Sequence, residues 1–110
     1  MKKIYLASPY SDPDPDLREH RFRAACEKAG ILMAAGHIVF SPIAHSHPIA
    51  KVCDLPKGWD FWEKYDRTFI EWCDELWVLM VPGWETSKGI AAEIEIAMIF
   101  NKPIRHIPGG

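Results

Sequence analysis

Four short apolar runs, three intervening stretches with helical spacing and a breaker at almost every junction predict an α/β fold: a three-layer sandwich on a parallel sheet of about four strands. The runs are apolar at consecutive positions instead of alternating, as in strands buried on both faces. Strands that alternate with helices pair in parallel through right-handed crossovers, which gives the order 2-1-3-4 of a flavodoxin- or Rossmann-like sheet. At 110 residues the chain suffices for one core and is too short for two, so a single domain over residues 1–110 is expected.

Ile4-Tyr5-Leu6-Ala7 is the first strand, stopped by Ser8-Pro9. The acidic segment from Asp12 to Asp16 leads into a helix from Asp16 to Ala35. Its Phe22, Ala25, Cys26, Ala29, Leu32 and Met33 make one buried stripe, and Gly36 is its natural stop. His37 to Ser41 reads as the second strand, ended by Pro42, and Ile43 to Gly58 as a loop rich in His and Pro. Trp59 to Cys73 returns to helical spacing. Leu76 to Val81 is a third strand broken by Pro82-Gly83, Ile90 to Phe100 a third helix, and Pro103 to Ile107 a last, edge strand.

Hydrophobic residues make up 48% and charged residues 25%, which excludes a disordered polyelectrolyte. A net charge of -2 supplies no basic field for nucleic acid or anionic lipid. No run approaches membrane-spanning length and the apolar stretch after Met1-Lys2-Lys3 is too short for a signal peptide, so a cytoplasmic location is expected. Cys26, Cys53 and Cys73 are odd in number and form no Cys-x-x-Cys pair, so they read as small buried hydrophobes. No Gly-x-Gly-x-x-Gly follows the first strand and no Walker lysine motif is present; no cofactor is expected. His45 and His47, two apart in a loop near Cys53-Asp54, lack helical ligand spacing and a third ligand. No metal site is expected, and His45 is assigned to a substrate-facing loop.

Ligands of such sheets bind beyond the carboxyl ends of the strands where neighbouring crossovers diverge, here between the strands ending at Ser8 and Val81. Ser8-Pro9-Tyr10, the loop from Ser41 to Gly58 and the segment from Pro82 to Gly89 then surround one crevice. Trp59 and Trp84 sit at its rim, where stacking on a base and plain loop packing are both open. Ser87 is a good N-cap for the third helix, and with Gly89 it leaves backbone N–H groups for a phosphate or sugar hydroxyl.

Two carboxylates fall on apolar faces. Asp66 lies four residues after Trp62 and three and four before Phe69 and Ile70; Glu93 shares its face with Ile90 and Ala97. Burial of even a neutral polar group without a partner costs about 2–7 kcal/mol, so both acids need an explanation. Each lies about 6–9 Å along its helix from the carboxyl edge of the sheet, close enough to line one crevice. Paired acids facing a small-molecule cleft suit glycosyl transfer, one attacking the anomeric carbon and one managing protons. The alternative is structural: ion pairs of Asp66 with Arg67 or Lys64, and of Glu93 with Lys88 or Lys102.

Three stretches together resemble the nucleoside 2-deoxyribosyltransferase-like superfamily, especially its small bacterial and phage branch of DUF1937-like proteins. They are Ile4-Tyr5-Leu6-Ala7-Ser8-Pro9-Tyr10; Asp66 with Cys73-Asp74-Glu75-Leu76-Trp77-Val78-Leu79; and Ser87-x-Gly89-x-x-x-Glu93-x-x-x-Ala97 with Asn101-Lys102-Pro103. The resemblance implies that Glu93 is the nucleophile, that Asp66 handles protons or positions the sugar, and that Tyr5 orients the nucleophile or sugar. In the related 5′-monophosphate N-glycosidases a serine at the Ser87 position binds phosphate. Ser8, where those enzymes usually have glycine, is closer to the transferase version.

The expected activity is cleavage or transfer at the N-glycosidic bond of a (deoxy)nucleoside or its 5′-monophosphate, by a deoxyribosyltransferase or a monophosphate N-glycosidase. The alternatives are a non-catalytic nucleotide-binding or regulatory module and a structural oligomerisation domain. The third helix is apolar on almost every side, which one sheet cannot cover, so a homo-oligomer, dimer or tetramer, is expected.

Overall fold

Burial on both faces commits the apolar runs to the interior of a sheet. The protein, as a computed structural model that describes residues 1–56 and 58–109, has strands β1 (Lys3–Ala7), β2 (Ile38–Phe40), β3 (Glu75–Met80) and β4 (Ile104–Pro108). All pairings are parallel, in the order β2-β1-β3-β4. Tyr5 stands opposite Phe40 on one side and Leu76 on the other, and Ala7 opposite Val78. Helices α1 (Pro15–Ala34), α2 (Pro42–Val52), α3 (Trp59–Trp72) and α4 (Lys88–Ile99) connect the strands, with a single 3-10 turn at Trp84–Thr86 before α4. The α/β sandwich and its strand order are those the sequence predicts.

The two-residue period of the strands divides the core. Tyr5, Ala7, Leu76 and Val78 pack against Ile70 of α3 and Ile90, Ile96 and Ala97 of α4. Ile4, Leu6, Trp77 and Leu79 point the other way, where Ala29 and Leu32 of α1 join their cluster. Full burial of one Leu or Ile side chain stabilises by about 1.5–3 kcal/mol relative to exposure, and β1 commits every residue from Ile4 to Ala7 in this way. Met33, placed by its spacing on the buried stripe of α1, is instead exposed in the last turn of that helix.

Helix ends follow side-chain chemistry. Asp14, Ser41 and Ser87 cap α1, α2 and α4 by accepting from Asp16 N, Ala44 N and Ile90 N. Gly36 ends α1 with a left-handed backbone, and the N–H groups of Gly36 and His37 close on the carbonyls of Met33 and Leu32, a Schellman arrangement. Asn101 repeats it after α4: its N–H reaches Met98 O, and that of Lys102 reaches Ala97 O.

The segment from Ile43 to Gly58 is not wholly a loop: Pro42–Val52 is helical. Its His and Pro content hides the start signal, a Ser N-cap followed by Pro at the first helical position, where a missing N–H costs nothing. Pro48 lies inside the helix, removing one internal bond while the turns on either side hold.

Candidate active site

β1, α3 and α4 bring three polar side chains together at the sheet's carboxyl edge. The Tyr5 hydroxyl, on a fully buried ring, donates a hydrogen bond to Glu93 Oε2. Asp66, on the neighbouring turn of α3, interacts with both the hydroxyl and the Glu93 carboxyl. Neither acid joins an ion pair among the described residues; Arg67 is bonded to Glu63 instead. The structural alternative for the two acids therefore has no support in the contacts they make.

Burial governs the electrostatics. It pushes the Glu93 carboxyl well above the usual carboxylate range; the Asp66 charge adds to that, and the Tyr5 hydrogen bond opposes it. Asp66 is raised to about 6 by burial, with its bonds to Tyr5 and Glu93 pulling the other way. Burial and the two nearby carboxylates also hold the Tyr5 phenol well above its ordinary value, so it remains a donor. Burial thus raises the proton affinity of both acids, and the Asp66 charge raises that of Glu93 further.

Asp66 and Glu93 line a crevice of about 1380 Å³. Of the residues picked from the sequence, Ser8, Pro9, Tyr10, His45, Ser87 and Gly89 line it with them. Ser8 is 5% exposed and its Oγ has no hydrogen-bond partner among the described residues, an orphaned polar atom in the crevice wall. Ser87 Oγ accepts from Ile90 N as the cap of α4, which leaves its hydroxyl hydrogen uncommitted. Among the described residues a Cβ added at Gly89 would meet only Ser87 Oγ, at 3.8 Å, so none of them requires glycine there.

Two choices fall elsewhere. Tyr5 is not in the crevice wall but behind Glu93, where it can orient that carboxyl and not touch a ligand. Trp84 does not line the crevice either: its ring packs on the core and edge-on to His106, centroids 5.3 Å apart.

Sequence reasoning missed one wall. Glu19, Arg18 and Arg21 of α1 and His47 and Lys51 of α2 also line the crevice. His47 is buried between the Tyr10 hydroxyl at Nδ1, Glu19 at Nε2 and the Phe22 ring, so its bonds are to tyrosine and carboxylate. The Ser41-Pro42 helix start was the available signal, because it puts His47 and Lys51, four apart, on one face of α2. Trp59, Trp62 and Tyr65 of α3 supply an aromatic side, with the Trp62 indole held by a 2.9 Å bond to Pro56 O. No helix among the described residues is long and apolar enough to cross a membrane.

A family model described as "Domain of unknown function (DUF1937)" matches residues 2–107. Among solved structures, a 2-deoxyribosyltransferase from the psychrotolerant bacterium Bacillus psychrosaccharolyticus is similar to this chain. It is 25% identical, with a TM-score of 0.68, over 96% of this chain and 72% of that one. That protein is described as a biocatalyst for nucleoside synthesis. No curated protein matches the chain.

Proposed function

The chain belongs to the DUF1937 family, and we propose that it cleaves or transfers at the N-glycosidic bond of a (deoxy)nucleoside or its 5′-monophosphate. The observation that carries this reading is the buried Tyr5–Glu93–Asp66 cluster opening into the crevice, where burial raises the proton affinity of both carboxyls. Glycosyl transfer needs one carboxylate to attack and one proton to give. Likeness to a 2-deoxyribosyltransferase supports the same reaction class.

In the proposed sequence the proton that burial favours on Glu93 passes to its neighbour Asp66 when ligand binds, which leaves Glu93 ionised. A Glu93 carboxylate oxygen attacks C1′, the C1′–N bond breaks with its electron pair going to the base, and Asp66 protonates the departing nitrogen. Water, or the nitrogen of a second base, then attacks C1′ of the glycosyl ester, gives its proton to the Asp66 carboxylate and releases Glu93. Tyr5 keeps one Glu93 oxygen occupied so that the other is aimed into the crevice. Ser8, Pro9, Tyr10, His45, Ser87 and Gly89 are the proposed ligand contacts, with Ser87 and the N–H groups of the first turn of α4 holding a 5′-substituent.

The test is release of free base from a panel of deoxynucleosides and nucleoside monophosphates, followed by chromatography. Wild-type protein is expected to release base and Glu93→Gln at least about 10³-fold less. Tyr5→Phe is expected to lower kcat with KM nearly unchanged. Ligand binding without release above the Glu93→Gln background would show a binding module and overturn the enzymatic reading.

We also propose that the exposed outer surface of α4, where Met98 and Ile99 are 63% and 66% exposed, takes a second copy of the chain.

A further inference from the structure

We propose that Tyr10 is a specificity-determining residue, a hydrogen-bond acceptor held in that polarity by His47 and Glu19, which takes an N–H or O–H donor of the ligand. Resting on the nucleoside reading above, the inference adds what the wall opposite the two acids recognises.

The polarity propagates from the carboxylate. Glu19 meets three cationic or donor groups: His47 Nε2 at 3.1 Å and Lys51 Nζ at 3.2 Å on Oε1, and Arg23 Nε at 3.7 Å on Oε2. Hydrogen bonds from His47 and Lys51 hold its carboxyl below the usual range, so it is an ionised acceptor. His47 Nε2 must then carry the hydrogen between them, and in the neutral ring Nδ1 offers only a lone pair. The Tyr10 hydroxyl, within hydrogen-bond distance of Nδ1, donates its single hydrogen there.

The ring cannot readily turn to escape this arrangement. His47 is 7% exposed and stacked on Phe22, centroids 4.4 Å apart. Burial raises the Tyr10 phenol, so it is a hydroxyl and not a phenolate. Arg18 interacts with the same oxygen and occupies at most one of its lone pairs. Tyr10 lines the crevice, so what it presents to a ligand is a lone pair and no hydrogen. A ligand group that is itself only an acceptor meets an unpaired lone pair there, whereas a donor completes the chain of bonds.

In an adenine nucleoside two kinds of group supply such a donor, the exocyclic amino group of the base and a sugar hydroxyl. Calorimetric titration separates them. One pair of probes is adenine against unsubstituted purine, which lacks the amino group. The other is 2′-deoxyadenosine against its 2′,3′-dideoxy counterpart, which lacks a hydroxyl. Wild-type protein is expected to favour the donor-bearing member of one pair by about tenfold.

Tyr10→Phe, which keeps the ring and removes the oxygen, is expected to bring that ratio to within about twofold. Glu19→Gln, whose amide can donate as well as accept and so frees the His47 tautomer, is expected to leave it at about threefold. Equal affinity within both pairs for wild-type protein, or wild-type ratios retained in Tyr10→Phe, overturns the role of Tyr10 while the nucleoside reading stands. Binding of none of the four probes overturns the role of Tyr10 toward these donors, while base release from the panel above decides the nucleoside reading.

Discussion

Tyr5 and Glu93 are 88 positions apart in sequence and share one hydrogen bond, so the acid's environment is set by the strand that buries it. Its neighbour Asp66 offers the sharper thermodynamic test. Its carboxyl rises from 3.8 to about 6 in the folded chain, so the folded state binds the proton more tightly than the unfolded one. The contribution to stability is therefore complete below the unfolded value and is lost as pH rises through the folded one; above that the penalty is constant. Between pH 4 and 7 the thermal midpoint of wild-type protein is expected to fall relative to that of Asp66→Asn. The variant should be more stable at pH 8 by on the order of 1–3 kcal/mol. Parallel pH profiles for the two proteins would show that burial does not penalise this charge. The two acids were legible because helical period alone sets Asp66 beside Ile70 and Glu93 between Ile90 and Ala97. The Tyr10–His47–Glu19 chain was not legible, because it joins residues of three segments by hydrogen bonds, and hydrogen bonding leaves no period in a sequence.

At the scale of elements, two glycines on the same loop-to-helix path have opposite reasons to be there. Gly83 has φ 99°, and a Cβ on it would collide with the Arg21 guanidinium. That guanidinium lies under the turn, 3.2 Å from Ser11 O and 3.5 Å from Tyr10 O and Pro82 O, tying the loop after β1 to the loop after β3. Gly89 lies in the first turn of α4 with ordinary space around it. Gly83→Ala is expected to destabilise by about 1–3 kcal/mol, from left-handed strain and displacement of Arg21. Gly89→Ala is expected to stabilise by about 0.5–1 kcal/mol through helix propensity while weakening ligand binding, because its new methyl enters the crevice. Chemical denaturation checks the first half of each statement and nucleoside titration the second; loss of stability in Gly89→Ala would contradict this account. The strands and helices α1, α3 and α4 were legible from apolar runs and helical period. α2 was not, because its residues are those of loops, and its helicity rests on the Ser41 cap and on packing against α1.

For the whole molecule, the five tryptophans pose a surface problem that the fold solves only in part. Trp77 is buried, yet Trp59 and Trp72 remain 38% and 37% exposed, and α4 turns Met98 and Ile99 to solvent. Between α3 and α4 a shallow groove of about 400 Å³ is walled by Trp59, Ile96, Met98 and Ile99, with Glu63, Arg67 and Glu95 at its sides. Both signs of charge around an apolar centre suit a two-fold contact in which the same patch meets itself. That the third helix is apolar on almost every side was plain in the sequence; which face it would leave bare needed the sheet, because only the sheet decides which side of α4 is already covered. Trp59 belongs to both the groove and the crevice, so a second copy seated on α4 bears on the ligand wall. Sedimentation equilibrium is expected to give a dimer at micromolar concentration, and Ile99→Glu, at an exposed position, a folded monomer. Base release per chain should fall in Ile99→Glu and on dilution of the wild-type protein through its dissociation range, since both strip the outer support from Trp59. A wild-type chain that stays monomeric at a few hundred micromolar would remove the second copy, and the crevice would then have to hold Trp59 in place unaided.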